Sequence, residues 1–320
     1  MKTFIALVKR EILNGKNAYV YTPLVLAGIS LLLFILATIG FGNSIYLDEL
    51  KNLNIQSNGS VVIVVESHEN SSEVLKETTV KTRPATFVVA SWMMSSLPWF
   101  SFPFVLFFSL LGALYEERRD RSVLFWKSMP VSDTQEVLAK FFTPVVVTPV
   151  VFLGVVIVLQ LIMGVVLSGL ALFQEGLIAR DFWPISMMIN SWIMALLFYL
   201  FWALWALPVL AWVLFVSSFA TRLPFLWAVL PPIVIIAIEQ MLFDSQNFRN
   251  WVGTHLGNWN ADIATGYSIN IEHPSEIFAV VGDILWYGAT ASLANGQFWL
   301  GLIIAGGLLF GAIRLRQRAL

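Results

Sequence analysis

The chain has 320 residues, of which 58% are apolar and only 12% charged, about half the charged share of a soluble globular protein. Mean hydropathy is +0.78 and net charge −1, which excludes an ordinary cytosolic enzyme, a disordered chain and a protein with the basic footprint of a nucleic-acid binder. There is no cysteine, which removes disulfides, thiolate metal sites and cysteine nucleophiles, while 13 Trp and 25 Phe fit the aromatic enrichment of membrane–water boundaries.

A bilayer core takes about 20 apolar helical residues to cross, and six stretches qualify, so the expected fold is an all-α polytopic membrane protein with 1–320 as one transmembrane domain. Residues 1–20 come first. Phe4, Val8 and Ile12 recur four apart with Ile5 beside them, and Lys2, Lys9, Arg10 and Lys16 add basic charge. This pattern predicts an amphipathic interfacial helix; a basic tail that only sets topology is the alternative. The apolar run that follows is too long for a signal peptide and has no small-x-small site after it, so 21–41 reads as a retained first span.

Residues 43–84 read as an extracytoplasmic loop, polar apart from Val61–Val65, which has strand composition, and holding a single His68. The second span is 85–115, broken by Pro98 and Pro103. Residues 116–140 form a cytoplasmic connection in which Glu116, Glu117, Arg118, Arg119, Asp120, Arg121 and Lys127 are charged. Val123, Leu124, Phe125 and Trp126 make an apolar patch within it, Met129-Pro130 ends it, and Ser132 or Asp133 is placed to cap the next helix. A short amphipathic helix presenting aromatic and charged side chains suits docking to another protein; a positive-inside loop resting in the headgroups is the alternative.

The remaining spans are 141–170, 184–216, 223–243 and 297–313. Residues 244–296 form a second extracytoplasmic segment, within which 277–293 is too polar for a confident span and reads as an interfacial or re-entrant helix. Thirteen of the 19 Lys and Arg fall in 1–20, 116–140, Arg222 and the C-terminal Arg314, Arg316 and Arg318, so both termini are expected in the cytoplasm of a cell (inner) membrane protein.

Chemistry is sparse. No phosphate-binding loop, H-E-x-x-H or G-x-S-x-G is present, and the three histidines, His68, His255 and His273, are far apart, so no metal site is expected. The spans almost lack the ionisable groups that proton- or sodium-coupled transport and intramembrane catalysis use. Glu239 is the exception: it either lines a path or gate, or reaches water at the outer end of its span. Gly307 and Gly311 form a G-x-x-x-G that could bring two helices close.

The connection 116–140 resembles the permease subunits of type-2 ABC transporters. There the second span typically runs into an acidic and basic stretch, a Gly-Thr-like pair, a short apolar helix and Pro-Val-Ser, with a Lys on the helix leading into the third span. Here Glu117 matches the acidic position, Pro130-Val131-Ser132 the proline motif and Lys140 the later Lys, while Arg121-Ser122 stands where many members have Gly-Thr.

The resemblance implies an exporting permease with no enzymatic activity of its own; the large apolar spans with few charges suit a hydrophobic or amphipathic cargo such as a peptide, lipid or antibiotic. It implies a coupling helix over Glu116 to Pro130 that sits in a groove of a separate cytoplasmic ATPase subunit, where ATP and magnesium are bound. Arg118, Arg119, Arg121 and Lys127 would pair with carboxylates there, and Phe125, Trp126 and Met129 would fill an apolar pocket. A second permease chain, identical or paralogous, would complete the path within the membrane lipid; nucleic acid plays no part. A self-contained secondary transporter or channel, or a membrane sensor using 244–296, are the competing readings.

Overall fold

The computed structural model describes residues 2–41, 84–122, 131–173, 178–258 and 277–318. Among them every regular element is helical, and six helical stretches are long and apolar enough to cross a membrane: Asn17–Ile39, Ser96–Arg119, Asp133–Leu170, Ala179–Phe219, Pro224–Phe243 and Gly296–Arg318. This is the architecture of a multi-pass membrane protein. In hydrocarbon each backbone N–H and C=O must be bonded within its own segment, so apolar runs take up helix. Val61–Val65, His68 and His273 lie outside the described residues.

α1 (Lys2–Asn14) ends before Gly15, where a Cβ would collide with the Tyr19 ring, and a π-helical turn, Asn17–Tyr21, leads into α2 (Thr22–Phe41). The predicted second span is two helices, α3 (Pro84–Met94) and α4 (Ser96–Gly112). The break falls at Ser95, not at either proline, because Pro98 lacks an N–H and its ring crowds the Met94 carbonyl one turn earlier. α4 then passes through Pro103 without stopping. α5 (Tyr115–Arg119) follows, and the chain re-enters at α6 (Asp133–Phe142), where Ser132 Oγ accepts from the Gln135 N–H at 3.3 Å as the predicted cap. A π-helical turn, Thr143–Val147, joins α6 to α7 (Thr148–Leu170).

α8 (Ile185–Phe219), with 35 residues and about 50 Å long, is the hub. Its polar aromatic side chains tie it to its neighbours in turn. Trp192 Nε1 donates to Gln160 Oε1 of α7 at 2.7 Å, and Tyr199 OH donates to the Val145 carbonyl at 2.6 Å. Val145 precedes Pro149 by one helical turn, so the tyrosine serves a carbonyl that the proline leaves without its usual donor. Buried Phe102, Leu106 and Leu110 of α4, Phe152 of α7, Leu214 of α8 and Ala305 and Ala312 of α12 form the core around this hub.

α9 (Pro224–Phe243) is the fifth span, and α10 (Asn247–Gly253) and a π-helical turn over Thr254–Asn258 fold back from its far end. α11 (Ile277–Ala294) runs beside α8 in the same direction: Gly282 faces the Met194 methyl, and Ser292 accepts from Trp205 Nε1 at 2.9 Å. Only Asn295 separates α11 from the last span, α12 (Gly296–Arg318), and its Oδ1 accepts from the Gln297 N–H at 2.9 Å. Residues 277–294 thus extend the line of the last span along the hub.

Candidate functional site

At one end of the bundle α1, α5, α6 and α12 converge, and each brings charge. Arg10 and Glu11 come from α1, Glu117 from α5, Asp133, Glu136 and Lys140 from α6, and Arg316 from α12. Glu136 and Lys140 are one turn apart and face inward together, as i and i+4 on a helix must. The Lys140 ammonium donates to both Glu11 oxygens at 3.2 Å and lies 2.9 Å from Glu117 Oε1. Arg316 forks: Nη1 donates to Glu117 Oε2 at 2.7 Å, Nη2 lies 2.7 Å from Glu136 Oε2, and Nε lies 3.3 Å from Asp133 Oδ1. Arg10 donates to Glu11 and, at 3.0 Å, to Glu136, and its Nη2 is 3.9 Å from Glu117.

The Lys140, Glu136 and Arg316 side chains are each only 4% exposed, so these pairs are desolvated and each depends on its partners. Burial opposes the Arg10 charge, but the hydrogen bonds and charges of Glu11 and Glu136 outweigh it and hold the guanidinium more firmly protonated than usual. Removing one partner from a network of this kind strands a buried charge, which costs roughly 3–5 kcal/mol.

A second joint lies beside the first. Arg118 Nη2 donates to the Ser217 and Ala220 carbonyls, at 2.7 and 2.9 Å, and so serves the C-terminal carbonyls of α8. In return Ser217 Oγ accepts from the Leu114 and Tyr115 N–H groups at 2.9 and 3.0 Å, the first free donors of α5. α5 is therefore held on one side by the ion network and on the other by the end of the hub.

Of the residues expected to form the docking surface, Glu117 and Arg118 are turned inward in these two joints. Arg119 and Asp120 form a pair at 3.0 Å with both side chains 59% exposed, and Glu116 lies against Gly112. Arg121 is exposed and has φ 57°, the left-handed conformation that glycine adopts most easily. Phe125, Trp126, Lys127, Met129 and Pro130 lie outside the described residues.

Sequence reasoning singled out Glu117 and Lys140, which meet here across the network. It read Arg10 as a basic charge of the interfacial helix and of the cytoplasmic side, read Arg316 as a topology-setting charge, and did not single out Glu11 or Glu136. The available signals were the Glu136–Lys140 spacing and two charges, Arg10 and Glu11, placed inside an otherwise amphipathic helix.

The other sites fall elsewhere. Glu239 stands one turn before the end of α9, and its carboxylate accepts from Ser245 Oγ at 2.8 Å and from the Asn247 and Phe248 N–H groups, both at 2.9 Å, at the start of α10. It is anchored as a cap for α10. Gly311 lies against Phe215 of the hub, but Gly307 has open space around it, and the small residues buried in α12 are Gly301, Ala305 and Ala312. Among the described residues no group of three or more His, Asp or Glu could hold a metal ion. Comparison with protein-family models, with curated proteins and with solved structures finds no match for the chain.

Proposed function

We propose that the chain is the membrane-spanning permease subunit of an ATP-driven exporter of the type-2 ABC class, working as a pair of permease chains on a separate cytoplasmic ATPase. The observation that carries this reading is the position of α5. It is the stub of the segment that resembles a coupling helix, and it is clamped between the four-helix ion network and the C-terminus of α8. A push on residues 116–122 reaches α1, α6 and α12 through Glu117 and reaches the hub through Arg118. A loop serving only topology has no use for two such joints.

In this reading the charged end is cytoplasmic, which agrees with the Lys and Arg distribution. The exposed Ile5, Lys9, Leu13 and Lys16 side of the N-terminal segment rests on lipid headgroups, while Leu7 faces the protein. The exposed Arg121, and Arg119 on exchanging its exposed partner Asp120, would meet acidic groups on the ATPase, and ATP and magnesium would belong to that partner. Spans with so little charge favour a hydrophobic or amphipathic cargo.

The test is Glu117→Gln in the full complex with its ATPase. The expected result is retained co-purification of the ATPase with at least a tenfold loss of cargo-stimulated hydrolysis, because docking survives and transmission does not. Transport by the chain alone in liposomes, driven by an ion gradient, would overturn the reading in favour of a secondary transporter.

A further inference from the structure

The fifth span is built differently from the others. Of its 20 residues only Ala228 is buried, and Pro231 and Pro232 stand side by side within the helix. Each proline lacks the N–H that would bond the carbonyl four residues earlier, so the Trp227 and Ala228 carbonyls lose their helical donors. Trp212 of α8 answers the second loss: its Nε1 donates to the Ala228 carbonyl at 3.0 Å. The aromatic contacts of α9 with other helices cluster at the same level. Phe225 meets Phe107 and Phe108, and Trp227 meets Phe219 at 6.0 Å.

Beyond the prolines the helix has few ties to the other described residues. Ile233, Ile235, Ile238, Met241, Leu242 and Phe243 are all exposed, and the next attachment is Glu239 to α10. Both ends are bounded by residues in the left-handed region, Leu223 at φ 49° and Asp244 at φ 47°. At Asp244 this is an ordinary helix stop, but Leu223 at the start of the span is a bulky residue held in a sparsely populated conformation.

We propose that α9 is a jointed helix and that Trp212 is the latch of its proline hinge. Trp212 supplies the hydrogen bond that Pro232 cannot make, which fixes the tilt of the half of α9 beyond the prolines. Losing it leaves a desolvated carbonyl at the hinge and frees that half to swing. Its role as the moving part of a transport cycle rests on the permease reading; the latch itself does not.

The native chain has no cysteine, so spin labels can be placed at Ile235→Cys on α9 and Val158→Cys on α7, both exposed positions. Distances between them are measured in lipid nanodiscs for four backgrounds: wild type, Trp212→Phe, Pro232→Ala and the double variant. Trp212→Phe keeps an aromatic ring and removes the donor, and is expected to shift and broaden the distribution. Pro232→Ala restores the N–H to the Ala228 carbonyl, so adding Trp212→Phe to it is expected to produce no shift. An unchanged distribution in Trp212→Phe overturns the latch. An equal shift in both backgrounds overturns it too, since the ring's packing would then be what matters. The measurement needs no ATPase, so a failed latch and a failed permease assignment are told apart.

Discussion

Arg121 shows how one backbone angle links a sequence departure to local energetics. It stands where the pattern that 116–140 resembles often has glycine, and it adopts φ 57°, which an L-residue with a Cβ enters at an expense of about 1–2 kcal/mol. Its side chain is exposed, so Arg121→Gly is expected to stabilise the end of α5 by about 0.5–1 kcal/mol, read as a small rise in Tm of the purified chain. An unchanged or lower Tm would show that the arginine contributes contacts that offset its conformation. The same residue shows what the sequence could disclose. That Arg121-Ser122 stands where the resembled pattern has Gly-Thr was legible, but the end of α5 at that point and its left-handed angle were not. The inward turn of Glu117 and Arg118 was not legible, since neighbouring charges in a basic run carry no mark of which face the bundle. Glu11 and Glu136 were hidden for a related reason: Lys140 meets Glu11, and Arg10 and Arg316 meet Glu136, from helices distant in sequence, and only packing brings them together.

Element boundaries followed composition where hydrophobicity alone decides them and departed where packing does. The six spans fall where about 20 apolar residues run together, because lipid imposes that length. The break at Ser95 comes from Pro98 one turn further on, and the alignment of α11 with the hub depends on which side chains meet α8; hydropathy encodes neither. The segment after α9 is the clearest case. His255 reads from sequence as one of three scattered outer histidines, yet it is 1% exposed. Its Nδ1 donates to the Trp251 carbonyl at 2.8 Å, its ring lies 5.4 Å from that of Trp205, and its Nε2 sits where a Cβ on Gly301 would be. Burial pushes the imidazole below its ordinary pKa, against the pull of the Trp251 and Gln297 carbonyls. The docked segment therefore favours neutral histidine. Its attachment is fully stable above the unfolded value of about 6.5 and weakens as pH falls through that value toward the lower folded one. A spin label at Gly257→Cys, where a Cβ meets open space, is expected to gain mobility between pH 7.5 and 5.5, and His255→Leu is expected to remove the pH dependence. Equal mobility at both pH values in the native background would refute this account of the segment.

On the scale of the whole molecule, the scarcity of charge gives the few buried ions their weight. Lipid surrounds most of the bundle and supplies no hydrophobic drive between helices, so specific polar ties must select one arrangement. At the hub those ties are the aromatic donors of α8; at the charged end they are Arg10, Glu11, Glu117, Asp133, Glu136, Lys140 and Arg316. α1 bears on this most directly, because it is joined to α6 by the Phe4–Phe142 contact at 5.8 Å as well as by its ions. Deleting residues 2–14 removes Arg10 and Glu11 together, which leaves Lys140 with Glu117 and Glu136 with Arg316 as their remaining close partners. The expected loss is about 3 kcal/mol or more, at the lower end for a broken buried pair, because half of each partnership survives. Thermal unfolding of the deleted and full chains in the same detergent measures it. The variant Ile5→Ser with Leu13→Ser supplies the contrast: both side chains are more than half exposed, so it weakens adsorption of a peptide of residues 1–16 to lipid vesicles while leaving Tm of the full chain in detergent close to that of the unaltered protein. If deletion and surface variant unfold together, α1 is only a membrane anchor and the ion network does not bind the four helices into one unit. If the deletion alone falls, the N-terminal helix is a structural member of the charged end, and a force applied at α5 has a rigid body to act on.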